Sequence, residues 1–318
     1  MNSCSLPVPS EPAPSPPART ITYSPAYTLV PTYECFNRCR YCNFRTDIGT
    51  TGWLSLAEAE TRLRSLPATV KEILILSGEV HPQSPQRSAW LEHIYQICQL
   101  ALALGFFPHT NVGPLSRAEM TRLKSVNVSM GLMIEQVSDR IQPWVHRHTA
   151  NKAPNDRLKQ LSQAGQLQIP FTTGLLLGLG ETAADRIAGL QAIADLQAQY
   201  GHLQECILQP YSPGQQEAGV GEGFPLEQLP EFVAIARALL PASIILQIPP
   251  NLVARSDLLL ACLAAGARDL GGISPIDEVN PDYPHPTADQ LRAILEPAGW
   301  QLVPRLPVHS HYLDWVGL

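Results

Sequence analysis

From about residue 26 onward, short apolar runs alternate with longer amphipathic ones. The short runs are YTLVPT, EILILS, FFPHTNV, VNVSMGLMI, LQIPFTTGLLL, LQECILQ, SIILQIP and RDLGGI. Runs of this length, apolar almost throughout, suit strands buried on both faces of a parallel sheet. The longer runs include LSLAEAETRLRSL, AWLEHIYQICQLALAL, LSRAEMTRLKS, TAADRIAGLQAIADLQAQY and LEQLPEFVAIARALL. They carry apolar residues at helical spacing and open near Ser, Thr or Pro, as helix starts do. Eight such strand–helix units predict an α/β fold, a closed (β/α)8 barrel of the TIM type. An open doubly wound sheet is the alternative.

The polar punctuation between these runs is one-sided. ECFNRCRYC follows the first strand, SGEVHP the second and TNVGP the third, and Glu135 closes the fourth. GLGE, QPYSPG, PPN and GGISPIDEVNP follow the remaining four. Turns collect Gly, Pro and polar residues on any fold. Cysteines and carboxylates gathered at the same ends of the strands suit the catalytic face of a barrel.

Composition sets the limits. The chain has 318 residues, 45% hydrophobic and 16% charged, with a net charge of −6. That is room for one large domain or two ordinary ones. The acidic balance argues against a nucleic-acid partner, and no apolar run has the length of a membrane span. The first twenty residues, MNSCSLPVPSEPAPSPPART, are rich in proline and lack aromatics. They read as a disordered tail, 1–20, ahead of a barrel domain, 21–318. The tail lacks the apolar segment of a secretory signal. Cys98, Cys206 and Cys262 lie in apolar runs and read as reduced core residues, and Cys4 falls in the tail. No disulfide framework is suggested, so the expected compartment is the reducing cytosol.

The remaining cysteines, Cys35, Cys39 and Cys42, form C-x3-C-x2-C. A structural zinc site wants four ligands, and the next histidine, His81, is far along the chain. Three thiolates suit a 4Fe-4S cluster with one iron left without a protein ligand. That open iron can chelate the amino and carboxylate groups of S-adenosylmethionine (SAM). Zinc remains the competing metal at this stage.

With Tyr41 ahead of Cys42 the motif becomes C-x3-C-x-aromatic-C, and the chain resembles the radical SAM superfamily. The resemblance implies a cofactor-binding set. Ser77, Gly78 and Glu79 match its Gly-Gly-Glu turn, with Ser in place of the first Gly, and would meet the methionine amino group. Glu135 would accept from the ribose hydroxyls. Arg157, ahead of Lys152, would pair with Glu135 or the methionine carboxylate. Gly174 and Gly178, in GLLLGLGE, would make room for adenine. Glu181 would cap the following helix, where negative charge is favoured.

Further motifs in order extend the resemblance: ITYS, CRYCNFR, GLMIE, HTANKAPNDRL, TTGLLLGLGET, YGHLQECILQPYSP, IPPNL and DLGGISPIDEVNP. They are similar to the CofG family, the radical subunit of FO synthase, over nearly all of residues 21–318. FO is 7,8-didemethyl-8-hydroxy-5-deazariboflavin, the chromophore of a deazaflavin coenzyme. The resemblance implies a lyase that cyclises the product of a CofH partner to FO and releases ammonia. It also implies a flavodoxin- or ferredoxin-type electron donor. Competing readings are a CofH-type or other radical SAM enzyme of menaquinone or thiamine biosynthesis, and a zinc-stabilised binding protein without turnover. One departure stands out: QPYSPG occurs where the family has Gln-Asn-Phe-x-Pro-Lys. Position at strand ends makes Asn111, Gln209, Tyr211, Asn251, Asp277 and Asn280 substrate candidates. His202 starts the sixth strand, at the end away from the chemistry. No general base stands out.

Overall fold

A computed structural model describes residues 19–318 except 147, 148, 150, 151, 217 and 218. Residues 1–18 of the expected tail lie outside the described residues. The strands are β1 (Arg19–Leu29), β2 (Glu72–Leu76), β3 (Phe107–Asn111), β4 (Ser129–Gly131), β5 (Phe171–Leu177), β6 (Leu203–Pro210), β7 (Ile245–Gln247), β8 (Asp269–Ile273) and β9 (Trp300–Pro304). All pair in parallel in the order β2-β3-β4-β5-β6-β7-β8-β1-β9. Pairing of Ala26–Leu29 with Glu72–Ile75 closes β1 onto β2, so the sheet is a barrel and the open-sheet alternative falls.

All eight expected strands are present, with two corrections at the first. β1 begins at Arg19, not near Tyr27. Arg19 and Thr20, assigned by sequence to the tail, pair with Trp300 and Gln301 of β9. β9 itself was not expected. It takes up the first half of β1, and β2 takes the second.

Helices fill the crossovers: α1 (Leu56–Arg64), α2 (Arg87–Ala103), α3 (Arg117–Lys124), α4 (Gln142–Val145), α5 (Pro154–Gln166), α6 (Ala183–Tyr200), α7 (Leu229–Leu239), α8 (Ser256–Ala265), α9 (Ala288–Leu295) and α10 (Leu313–Val316). Their starts are chemically marked. Ser116 with Glu119, Thr182 with Asp185 and Thr287 with Gln290 form capping boxes on α3, α6 and α9. In each, two otherwise orphaned backbone donors are satisfied reciprocally. β5 is buried along its whole length, as a strand covered on both faces must be. Trp90 of α2 is fully buried and donates to Ser77 Oγ at 3.1 Å, tying a core helix to the end of β2.

The lower end of the barrel holds a buried ionic cluster. Arg305, just after β9, makes a bidentate bond to Asp269 of β8 at 2.6 and 2.8 Å and pairs with Glu205 of β6. His309 Nε2 lies 2.7 Å from the same Glu205, and Thr172 donates to it at 2.8 Å. Glu205, Asp269 and His309 place ligand atoms within 4.8 Å of one another. The guanidinium of Arg305 already supplies the cation there.

Burial alone would raise the Glu205 carboxyl, but Arg305 and His309 outweigh it and hold it far below the usual range. Its folded pKa is therefore below its unfolded one. The resulting stability is complete above the unfolded value, about 4.3, and is lost as pH falls. Replacing Arg305 with Met leaves Glu205 and Asp269 buried without their main counter-charge. The expected loss is about 3–5 kcal/mol at neutral pH, read from the urea unfolding midpoint of the purified protein. An unchanged midpoint would show that the cluster does not secure the barrel floor.

Candidate active site

The opposite end of the barrel opens into a cavity of ≈310 Å³. Its lining comes from the loop after β1 (Cys35, Cys39, Tyr41, Cys42), the end of β2 (Ser77, Gly78, Glu79), β3 (Asn111), the segment after β4 (Glu135) and the end of β6 (Gln209). Lys152 and Arg157, before and within α5, complete it. Most of the sequence-predicted site residues therefore meet in one space.

The cysteine loop is held by backbone. Cys35 N–H donates to Thr46 O at 3.2 Å, and Thr46 N–H donates back to Tyr33 O at 2.8 Å. Barrel closure sets the loop beside the β2 turn. Gly78 N–H donates to Thr32 O at 2.7 Å, and Phe36 N–H to Glu79 O at 3.0 Å. A Cβ on Gly78 would lie 2.2 Å from Glu34 O, so no larger residue fits that approach. Glu79 N–H donates to Cys35 Sγ at 3.3 Å, a contact that favours a thiolate. Burial, with the Glu79 charge, pushes the Cys35 thiol up to about 11. Burial likewise pushes Cys39 up to about 12. A metal must displace those protons on binding.

The spacing of the thiols bears on what they can hold. Among the described residues, the only group of three metal-ligating side chains with donor atoms within 4.8 Å of one another is the one on the barrel floor. At least one pair of the three thiols therefore stands wider apart than that. Sulfurs around one tetrahedral zinc, with bonds near 2.3 Å, would be only about 3.8 Å apart. The buried Asn37 Oδ1 beside them has no partner among the described residues, and Asn37 Nδ2 donates to Glu79 Oε2 at 2.8 Å.

Glu135 is the electrostatic centre. It is buried, with φ 69°, a conformation rare for a residue with a side chain. Its N–H donates to Gly174 O at 3.1 Å, and Leu176 N–H donates to its carbonyl at 2.8 Å. Lys152 Nζ is 2.5 Å from Oε1, and Arg157 Nη1 is 3.4 Å from the same oxygen. Lys152 is thus the nearer cation, the reverse of the order expected from sequence. Burial opposes ionisation of Glu135, but Arg157 and Lys152 overcome it and hold the carboxyl well below the usual range. Arg157 also approaches Glu79 at 3.8 Å and donates to Met133 O, while its Nε has no partner among the described residues. Tyr41 donates to Glu135, and its hydroxyl also lies 3.0 Å from His146 Nε2.

Other candidates sit differently. Gly174 opposes Ile207 of β6, where a Cβ would lie 2.2 Å from Ile207 O; its small size serves strand packing. Gly178, at φ 97°, turns the chain after β5. Glu181 does not cap α6, because Thr182 does. It accepts instead from the N–H groups of Gly178 and Leu179 at 2.8 and 2.7 Å and pairs with Arg186 at 2.7 Å. Tyr211 is buried with Ile141, Val145, Leu176 and Leu179. Asn251 donates to Asp277 at 2.7 Å, and Asp277 accepts from Asn280 at 3.0 Å. Asn251, in the loop after β7, and Asn280 thus both bond Asp277 of the loop after β8, and none of the three lines the cavity. His202 is buried at the lower end of β6 against Phe171 and Tyr200. Cys98, Cys206 and Cys262 are buried and unpaired. His146 was missed by sequence reasoning, because nothing in QPWVHRHT distinguishes one histidine from the other.

A parallel barrel whose mouth joins a three-cysteine loop to buried carboxylates defines a class. The radical SAM superfamily profile matches residues 29–192. The folds agree: an FeFe-hydrogenase maturase, HydG from Carboxydothermus hydrogenoformans, aligns over 89% of this chain and 67% of its own, at 20% identity and TM-score 0.70. Methylornithine synthase aligns over 94% and 86%, at 15% identity and TM-score 0.66. Among curated relatives, 7,8-didemethyl-8-hydroxy-5-deazariboflavin synthase of Trichodesmium erythraeum is 59% identical over 94% of both chains. The enzyme of the same name from Thermosynechococcus vestitus is 61% identical over 94% of this chain and 95% of its own. The chain belongs to the radical SAM superfamily and, within it, to this synthase family.

Gly78→Ala tests the seam between the cysteine loop and β2. The clash with Glu34 O is with backbone, so the loop must move. Overpacking of this kind costs about 1–3 kcal/mol. The variant is expected to unfold earlier in urea and to take up less iron on reconstitution. Parent-like iron loading would mean that the loop does not depend on this contact.

Proposed function

We propose that this chain is the radical SAM enzyme that forms 7,8-didemethyl-8-hydroxy-5-deazariboflavin, cyclising the product of a CofH-type partner with release of ammonia. The single observation that carries the reading is the convergence of Cys35, Cys39 and Cys42 with Glu79, Glu135 and Arg157 on one cavity. Family membership supplies the reaction. Cys35, Cys39 and Cys42 would hold a 4Fe-4S cluster, leaving one iron for SAM. When bound, that pair supplies a 5′-deoxyadenosyl radical after one-electron reduction, delivered by a flavodoxin- or ferredoxin-type donor.

The chain's own residues bind and orient. Backbone at Ser77–Glu79 and the Glu79 carboxylate suit the methionine ammonium. The Nε of buried Arg157, without a partner among the described residues, suits the methionine carboxylate. Glu135 accepts from the ribose hydroxyls. Tyr41 borders the nucleoside, and Gly174 and Gly178 shape the strand and turn behind it. Asn111 and Gln209 line the same cavity and are the substrate ligands of choice. Tyr211, Asn251, Asp277 and Asn280 act on the substrate through the loops they hold.

Three measurements test this. Cys39→Ala is expected to lose the iron–sulfur chromophore and SAM cleavage, while Cys98→Ala keeps both; a chromophore in Cys39→Ala would exclude the three-thiolate site. Glu135→Gln is expected to weaken SAM binding by about 1–3 kcal/mol at unchanged iron content. Finally, reconstituted protein given the preassembled tyrosine–diaminouracil adduct, SAM and reductant is expected to yield the fluorescent deazaflavin and ammonia. Consumption of tyrosine by this chain alone would assign it to the partner's step instead.

A further inference from the structure

Asn43 directly follows the last cysteine of the loop, and its amide is buried. A buried amide is costly unless its oxygen and its nitrogen both find partners. Here the partners come from two other strand-end loops. Asn43 Oδ1 accepts from Gln216 N–H, in the loop after β6, at 2.8 Å. Asn43 Nδ2 donates to Asp282 Oδ2, in the loop after β8, at 2.9 Å. Asp282 closes the triangle, because the same oxygen accepts from Gln215 N–H at 2.9 Å. The amide orientation is fixed by these partners, since a carboxylate needs the NH2 group and a backbone N–H needs the oxygen. Tyr283 adds a second tie between the β6 and β8 loops, donating to Pro213 O at 2.8 Å.

The fit around this clasp is close. A Cβ on Gly214 would lie 2.4 Å from Asn43 Cγ and Nδ2, so the glycine that ends QPYSPG is what lets the β6 loop reach the amide. The clasp itself lies behind the cavity wall. Phe44 and Arg45 follow Asn43, Gln209 ends the strand that leads into the β6 loop, and Val279 precedes Asp282; all four line the cavity. The residues read as SAM ligands come from β2, the segment after β4 and the region of α5, none of which the clasp touches. In the closed strand order, β6 to β8 stand across the barrel from β2 to β4. The wall that the clasp secures is therefore the one away from those ligands. Small misplacements of a reacting atom cost orders of magnitude in rate, so that wall has to be held.

We infer that Asn43 is a positioning residue for the substrate: through Asp282 and the Gln216 N–H it fixes the β6 and β8 loops against the cysteine loop. The inference rests on the functional reading given above. It assigns Asn43 no contact with substrate or cofactor.

Steady-state conversion of the preassembled tyrosine–diaminouracil adduct by reconstituted protein, with iron content and SAM Kd measured for each variant, tests it. Asn43→Asp keeps the shape and the acceptor for Gln216 N–H but sets a second carboxylate against Asp282. It is expected to raise the adduct KM about tenfold or more, while the SAM Kd stays within about twofold of the parent and iron is unchanged. Gly214→Ala presses on the amide from its other side and is expected to move KM in the same direction. Adding Asp282→Asn to Asn43→Asp restores a donor–acceptor pair with its sense reversed. The double variant is expected to return KM to within about threefold of the parent. It keeps the new charge beside Cys42, so its recovery assigns the defect to the clasp and not to the cluster. Parent-like KM in Asn43→Asp, or no recovery in the double variant, would overturn the inference. Equal weakening of SAM and adduct, or loss of iron from both single variants, would make Asn43 a general support of the cysteine loop and overturn it as well. If the parent protein leaves the adduct unconverted, the functional reading fails and this inference with it, an outcome distinguishable from the others.

Discussion

An ionised carboxylate buried at the mouth of a barrel has to be neutralised where it stands. Glu135 is fixed on both backbone sides by β5 and cannot swing out to water. Lys152 and Arg157 must come to it, which carries the start of α5 over the cavity. Tyr41 reaches the same carboxylate from the cysteine loop, and His146 from the end of α4. Three separate chain segments are thus ordered by one charge. Tyr41 and Val145 also share a small apolar cluster with Ile141, Leu176, Leu179 and Tyr211, so packing supports what the charge draws together.

Much of this was legible in the sequence, for definite reasons. The eight strands announced themselves because parallel strands buried on both faces read as apolar runs. The cysteine loop and the β2 turn were legible because their chemistry depends on short local spacing. What was missed depends on partners distant in sequence. Arg19 and Thr20 look like tail until Trp300 and Gln301 are known to pair with them. Glu181 looked like a helix cap because Thr182, the true cap, is an equally ordinary cap residue. Asn251, Asp277 and Asn280 share the polar character of site residues, yet Asp277 accepts from both of the others, and Asn251 Oδ1 has no partner among the described residues. Lys152 and His146 are unremarkable in sequence, and their distances to Glu135 follow from loops with no periodic pattern.

Among the described residues, buried ionic clusters lie at both ends of the barrel, and they differ in how closely their charged groups are met. At the floor, Arg305 meets Asp269 with two bonds and Glu205 with a third, while Thr22 and Gly271 N–H also serve Asp269. Such a cluster is complete and locks the C-terminal segment under the strands. At the mouth, Arg157 reaches its carboxylates only at 3.4 and 3.8 Å, and its Nε has no partner among the described residues. Asn37 Oδ1 is likewise buried and unpartnered. Buried polar groups left short of partners are expensive, and folded proteins keep few of them. Their gathering around the three thiols, with an open cavity between, is what a site awaiting a charged ligand requires. The floor has comparable charge and a larger surface hollow of ≈690 Å³ beside it, yet the charged groups of its Arg305 cluster have no such deficit. The lower end has buried unpaired atoms too, at His202 and Ser24, so the physical ground for placing the chemistry at the cysteine end is the combination there of three thiols, an open cavity and charged groups with bonds to spare.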